Sequence, residues 1–230
     1  MTLLTMVQAA AAELNLTIPT TVIGNSNQNI KQLLGLANRA GQMLVKRGSF
    51  QELREEATHT SLAQENQGVI TTIAPGFDRF VSETFWDRTE QWELPGPVSS
   101  DEWQELKART VEPSVTHYTV RGNNLLAYPT PAAGNTWAFE YFTDQWVSRA
   151  GGGSATTFAA DGDTSKIDET VITMDVIWRY LKAKGFDYAE EKRDYEVVLK
   201  QYQLTNDARV VVIGKGRQNV RRGDFRAVGA

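Results

Sequence analysis

The sequence predicts an α+β chain: an antiparallel four-helix bundle, an antiparallel β domain inserted between its halves, and an extended C-terminal arm. Three observations lead there. Apolar residues recur at helical spacing over residues 3–44 and again over 167–202. Between them lie short β-branched and aromatic runs, broken by Gly, Pro, Asn and Asp. Beyond Asn206 no amphipathic period survives. The expected boundaries are 1–48 for the first half of the bundle, 49–160 for the β domain with one short helix, 161–205 for the second half, and 206–230 for the arm.

Residues 3–15 put Leu3, Val7, Ala10, Ala11 and Leu14 on one helical face, with Thr2 as N-cap. Pro19 and Gly24 break the pattern, and Ser26 and Asn27 offer caps for a second helix. Its stripe is Ile30, Leu33, Leu34, Ala37 and Leu44, and Lys46-Arg47-Gly48 marks its end. Gly35 and Gly41 each cost about 1 kcal/mol against alanine inside a helix, so close approach of another helix is expected there.

In the β region, Ser114–Arg121 and Asn124–Tyr128 read as a hairpin turning at Gly122-Asn123. Thr136–Phe142 alternates Trp137, Phe139 and Tyr141 with Ala138 and Glu140. Gly68–Ile73 and Arg79–Thr89 are further strands. Ser99 to Glu102 is a capping box for a short helix with Trp103 and Leu106 inside. Gly151-Gly152-Gly153-Ser154 reads as a flexible hinge. The second helical half carries Ile167, Val171, Met174, Ile177, Trp178 and Leu181, ends at Lys184-Gly185, and restarts behind Asp187 with Tyr188, Tyr195, Val198, Leu199 and Tyr202.

The net charge of −4 conceals an asymmetry. Residues 206–230 hold six basic groups against two acidic ones, leaving −8 on residues 1–205. A basic tail on an acidic body seeks an anionic surface. Inside the tail, Val210 to Ile213 is β-prone and reads as a strand with no partner in its own body. No apolar run approaches the roughly 20 residues of a membrane helix, and Met1 to Met6 lacks the basic start of a secretory signal. A soluble, intracellular protein without membrane contact is expected.

Catalytic chemistry finds few carriers. The absence of cysteine removes disulfides, thiolate nucleophiles and Cys-type metal sites. His59 and His117 stand alone, outside any metal or triad spacing. Asp161-Gly162-Asp163 begins like a calcium loop, but Lys166 replaces its glycine and Ile172 its bidentate Glu. Gly214-Lys215-Gly216 lacks the upstream glycine and following Ser or Thr of a phosphate loop. No enzyme, metal or cofactor is expected. Of six tryptophans, Trp137 and Trp178 read as core, whereas Trp86, Trp92 and Trp103, around Pro95 and Pro97, read equally as core or as interface aromatics.

The order of Phe77-Asp78-Arg79, Thr84-Phe85-Trp86-Asp87-Arg88-Thr89, Gly96-Pro97, Glu102-Trp103, Arg121-Gly122-Asn123-Asn124-Leu125, Tyr128-Pro129, Phe139-Glu140-Tyr141 and Ile177 to Gly185 resembles the head-to-tail adaptor (head completion, connector) proteins of tailed bacteriophages over residues 1–205. The resemblance implies a structural virion protein, assembled in the host cytoplasm. It implies a homo-oligomeric ring of twelve subunits that joins the portal protein to the downstream tail component, a nozzle or tail tube, and closes the DNA-filled head. The arm would then dock on the portal.

The residues expected to carry that contact, with the portal or a neighbouring subunit, are Arg209, Val210, Val211, Val212, Ile213, Lys215, Arg217, Arg221, Arg222, Phe225 and Arg226. The valine-rich run would add to a partner's sheet edge and the arginines would meet carboxylates. Nucleic-acid binding through the same basic arm is the alternative, with incidental contact to packaged DNA as a variant of it. Hydrolysis of cell-wall polymer ranks below both for want of residues.

Overall fold

The structure is a computed structural model and describes residues 1–213, with side-chain surroundings through Asn206. In chain order the elements are α1 (Leu3–Glu13), α2 (Gln28–Arg47), β1 (Arg54–Thr60), β2 (Asn66–Val69), α3 (Ile70–Ile73), β3 (Phe77–Phe80), β4 (Trp86–Asp87), β5 (Trp92–Glu93), α4 (Ser100–Ala108), β6 (His117–Arg121), β7 (Asn124–Tyr128), β8 (Thr136–Thr143), β9 (Val147–Ser148), β10 (Ser154–Ala155), β11 (Thr164–Ser165), α5 (Glu169–Lys184) and α6 (Ala189–Ile213).

The helices begin where short polar side chains supply the missing acceptors. Thr2 Oγ1 accepts from Thr5 N at 3.3 Å, Asn27 Oδ1 from Asn29 N at 2.9 Å, and Asp168 Oδ1 from Thr170 N at 2.7 Å. Gly185, at φ 78°, closes α5 in the left-handed conformation that glycine adopts freely. α5 is the helix the others share, packing against α1, α2 and α6. It runs antiparallel to α2, since Lys184 at its end reaches Asn29 at the start of α2, 3.0 Å away.

All strand pairings are antiparallel. β8 is the spine of the largest sheet: β1 pairs along one of its edges, and β3 then β4 share the other, with β5 outside β4. A second sheet runs β2-β7-β6, its hairpin turning on Gly122 and Asn123 at φ 54° and 66°. The two sheets enclose Ala57, Ile70, Phe85, Leu94, Tyr118, Leu125, Trp137, Phe139 and Tyr141. α4 covers the outer face of the second sheet by laying Trp103 and Leu106 against Val98, Leu126 and Tyr128. A third, small sheet, β10-β9-β11, adjoins the helices.

β8 also reaches into the helical core, where Phe142 joins Trp146, Val147 and Phe158. Arg79 fastens the same junction. Its Nη2 donates to Gly48 O at 2.5 Å, beyond the last turn of α2, while its guanidinium lies 4.7 Å from the Phe142 ring centre. Lys46 of α2 pairs with Asp78 of β3.

Several local expectations change. Residues 68–73 are strand only to Val69; the chain then turns once as α3, which drops Ile70 into the β core. The run from Arg79 to Thr89 is interrupted after Phe80, because a turn with Glu83 at φ 60° and a Thr84 hydroxyl donating to Val81 O separates β3 from β4. Gly41 makes room for an indole, not for a helix: a Cβ there would lie 2.2 Å from Trp146. Gly35 faces open space, with nothing within 4 Å of such an atom. Gly152 and Gly153, at φ 94° and 83°, form a hydrogen-bonded turn in which Arg149 N donates to Gly153 O and Gly152 N to Arg149 O, in place of a free hinge.

Candidate interaction surface around the last helix

α6 is held to the body by one face as far as Asn206. Asp187 Oδ1 accepts from Ala189 N at its start, and Tyr195, Leu199 and Asn206 are buried along its inner face. The Tyr202 ring stacks on Phe50 at 5.1 Å, and its hydroxyl accepts from Asp168 N at 3.3 Å. Burial pushes the Tyr202 phenol up to about 12. Gln203 Nε2 donates to Arg47 O, and Asn206 Oδ1 accepts from Gln51 N at 3.5 Å. These contacts tie the helix to the end of α2.

Two clefts of opposite character flank that anchorage. One, of about 630 Å³, lies against the start of α5 and is lined by Glu52, Asp168, Glu169, Tyr202 and Thr205, with Lys166 the only cation on its wall among the described residues. The other, of about 480 Å³, is lined by Lys46, Arg47, Arg79, Ser49 and Gln203. On the outward face of α6, Val197 and Leu204 are exposed by 61% and 60%. Their seven-residue spacing puts them on one line along the helix.

The helix then continues to Ile213. Seven residues past Asn206 add about 10 Å to its axis. This corrects the expectation for Arg209, Val210, Val211, Val212 and Ile213, which are helical and not an extended, strand-adding run. β-branched residues disfavour helix by only a few tenths of a kcal/mol each. A helix already nucleated satisfies one more N–H with each residue it adds, whereas a solitary strand would leave both edges unpaired. Lys215, Arg217, Arg221, Arg222, Phe225 and Arg226 lie outside the described residues.

The aromatic candidates divide. Trp103 is core, 1% exposed, with its ring 6.2 Å from Tyr128 and Lys107 above it; its indole N–H has no partner among the described residues. Trp92 is 42% exposed. Trp86 is half-buried and lines a groove of about 520 Å³ with Glu56, Glu83, Arg88 and Glu140 on the outer face of the large sheet. Trp137 and Trp178 are both buried. Trp137 donates its indole N–H to Asp87 Oδ2 at 3.0 Å, and that carboxylate also accepts from Asn135.

The two aspartates of the calcium-like loop have structural partners. Asp163 accepts from Ala150 N, Ala159 N, Ala160 N and Arg149, and Asp161 accepts from Val22 N and Ile23 N. Both carboxylates of the calcium-like loop are therefore engaged in structural hydrogen bonds, Asp161 with the distant Val22–Ile23 backbone and Asp163 with Arg149 and the backbone of Ala150, Ala159 and Ala160. His59 packs 6.1 Å from Trp137, its buried Nε2 has no hydrogen-bond partner among the described residues, and burial lowers its pKa. His117 Nδ1 lies 2.9 Å from Val115 O. Among the described residues no three His, Asp or Glu side chains are grouped to hold a metal, and no helix is long and apolar enough to cross a membrane.

Sequence reasoning missed the two clefts beside α6, because each assembles residues distant in the chain. The only local signals were Lys46-Arg47 at the end of one helix and Asp168-Glu169 at the start of another. Compared with known proteins, residues 1–225 match the family model described as SU10 adaptor protein. No curated protein matches the chain.

Proposed function

Because the chain belongs to the SU10 adaptor protein family, whose members are phage adaptor structural proteins, we propose that it is a ring-forming head-to-tail adaptor. It joins the portal to the tail and closes the filled head, and its place is the virion. Twelve copies form the ring, and the outward face of α6, with Val197 and Leu204, meets a neighbouring copy. The observation that carries this reading is the charge division at the end of α6. Residues 1–213 hold 19 basic against 27 acidic groups, whereas residues 214–230 hold five against one. The helix anchored at Tyr202 and Asn206 is followed in the sequence by a segment of net charge +4, against −8 for residues 1–213. Such a segment is attracted to acidic surfaces on a partner, and repetition around a ring turns a weak contact into a firm joint.

Truncation after Ile213 tests it. The truncated chain should keep its fold, read by circular dichroism, and lose attachment to purified portal rings, read by co-sedimentation. Attachment at full strength would refute the proposal. Adding duplex DNA over a salt series separates the nucleic-acid alternative: retention of the full chain on DNA at moderate salt, with no portal binding, favours that alternative.

A further inference from the structure

α2 holds Lys31, Arg39, Lys46 and Arg47 and no carboxylate in its 20 residues, within a chain whose 28 acidic groups outnumber its 24 basic ones. Six of its exposed residues, Gln28, Lys31, Gly35, Arg39, Gln42 and Lys46, recur every three or four positions. At about 100° per residue they fall within an arc of about 80°, and they run about 27 Å along the helix. The buried residues Ile30, Leu33, Ala37, Ala40 and Leu44 take the opposite side. The outward face is bare: a Cβ at Gly35, in the middle of the stripe, would meet nothing within 4 Å. Lys46 pairs with Asp78, whereas Lys31 and Arg39 have no ion-pair partner among the described residues.

Cations continue past both ends of the stripe. At its start, Lys184 of α5 donates to Asn29 Oδ1 at 3.0 Å. At its end, Lys46 also lines the cleft of about 480 Å³, whose wall adds Arg47 and Arg79 and, among the described residues, no carboxylate. Gln203 and Asn206 of α6 line the same cleft.

The chemistry of this face selects its partner. Protein interfaces centre on apolar and aromatic anchors and are poor in charge at their core. None of the six stripe residues is apolar, and none is an acceptor-only group. Protein surfaces also intersperse both signs of charge over such a distance. Duplex DNA instead presents one phosphate charge per about 1.7 Å of axis, and its protein interfaces are polar and strongly positive. Cations about 12 and 10 Å apart along α2 find a phosphate at any base sequence.

We propose that the outward face of α2 is a sequence-independent contact for the sugar–phosphate backbone of duplex DNA, with Lys31 and Arg39 as its main phosphate partners. The site lies on the folded body, apart from residues 214–230, and depends on neither the ring nor the portal.

Anisotropy of a fluorescent duplex, titrated with the full chain from about 50 to 200 mM salt, tests it. Each phosphate contact contributes about 0.9 to the slope of log affinity against log salt. Lys31→Gln combined with Arg39→Gln should therefore reduce that slope by about 1.8, while Arg39→Lys, which keeps the charge, should retain it. Lys107→Gln with Arg109→Gln removes the same charge from α4 and should leave the slope unchanged. All four positions are exposed, so melting temperatures should hold. Absence of binding by the parent, an unchanged slope in the α2 variant, or an equal fall in the α4 control overturns the proposal. So does loss of portal co-sedimentation by the α2 variant with DNA binding intact, which assigns the face to a protein. The truncation test of portal attachment reads a different segment, so either proposal can fail alone.

Discussion

The helical core and the β core bury their surface with different side chains. Around α5, aliphatic residues such as Leu3, Ile30, Leu33, Leu44 and Ile172 pack against Ala10, Ala11, Ala37 and Ala40. Between the sheets, rings meet rings: Phe85 lies 4.2 Å from Tyr118, 4.7 Å from Phe139 and 5.7 Å from Trp137, all edge-on. The helical core holds rings too, among them Phe50, Trp146, Phe158 and Trp178, but spreads most of its contacts over aliphatic side chains and alanines. The aromatic core concentrates them on a few residues, each of which contributes edge-to-face energy beyond its area. Losing one ring therefore disturbs several neighbours together.

The largest expected effect follows. Phe85→Ala should lower stability by about 4–5 kcal/mol, against about 3 kcal/mol for Leu33→Ala in the helical core. Urea titration followed by circular dichroism and by tryptophan fluorescence checks both. β8 contributes Phe139 and Tyr141 to one core and Phe142 to the other, so both signals should move in one transition. Separate transitions for helix and fluorescence would show that β8 does not couple the halves.

Polar anchorage at the helical side gives the next effect. Burial alone would raise the carboxyl pKa of Asp163, but donation from the backbone of Ala159, Ala150 and Ala160 and from Arg149 outweighs it and holds the value at about 2. The folded value lies below the ordinary 3.8. Its stabilisation is thus complete above about pH 4 and is lost as pH falls towards about 2. Asp163→Asn should cost about 1–3 kcal/mol at neutral pH and flatten the acid limb of a stability-against-pH curve. An unchanged acid limb would assign acid unfolding to other groups.

How much of this was legible in the sequence depends on whether the deciding interaction is local. Thr2, Asn27 and Gly185 mark helix ends because caps act over three or four residues. The Gly122-Asn123 hairpin is legible for the same reason. The continuation of α6 to Ile213 was not, since it depends on propagation from upstream and not on the preferences of Val210 to Ile213. The turn at Ile70 and the double membership of β8 were hidden too, being set by contacts with residues far along the chain. Of the candidate site, the charge division could be read directly; the clefts beside α6 required the topology.

Two glycines six positions apart on α2 give the smallest and most pointed test. Glycine to alanine in a helix interior gains about 1 kcal/mol when space allows. Gly35 has that space, so Gly35→Ala should raise the melting temperature by about 2–4 °C. At Gly41 the added methyl would meet the six-membered ring of Trp146, which is fully buried. That ring has nowhere to go: its N–H donates to Thr156 O at 2.9 Å and its edge packs on Phe158 at 4.9 Å. Overpacking costs about 1–3 kcal/mol, enough to reverse the gain, so Gly41→Ala should lower the melting temperature. The same chemical change on the same helix then has opposite signs, decided by one indole from the strand-bearing half. If both variants melted higher than the parent, Trp146 would not be seated against α2, and the joint between the two cores would have to lie elsewhere.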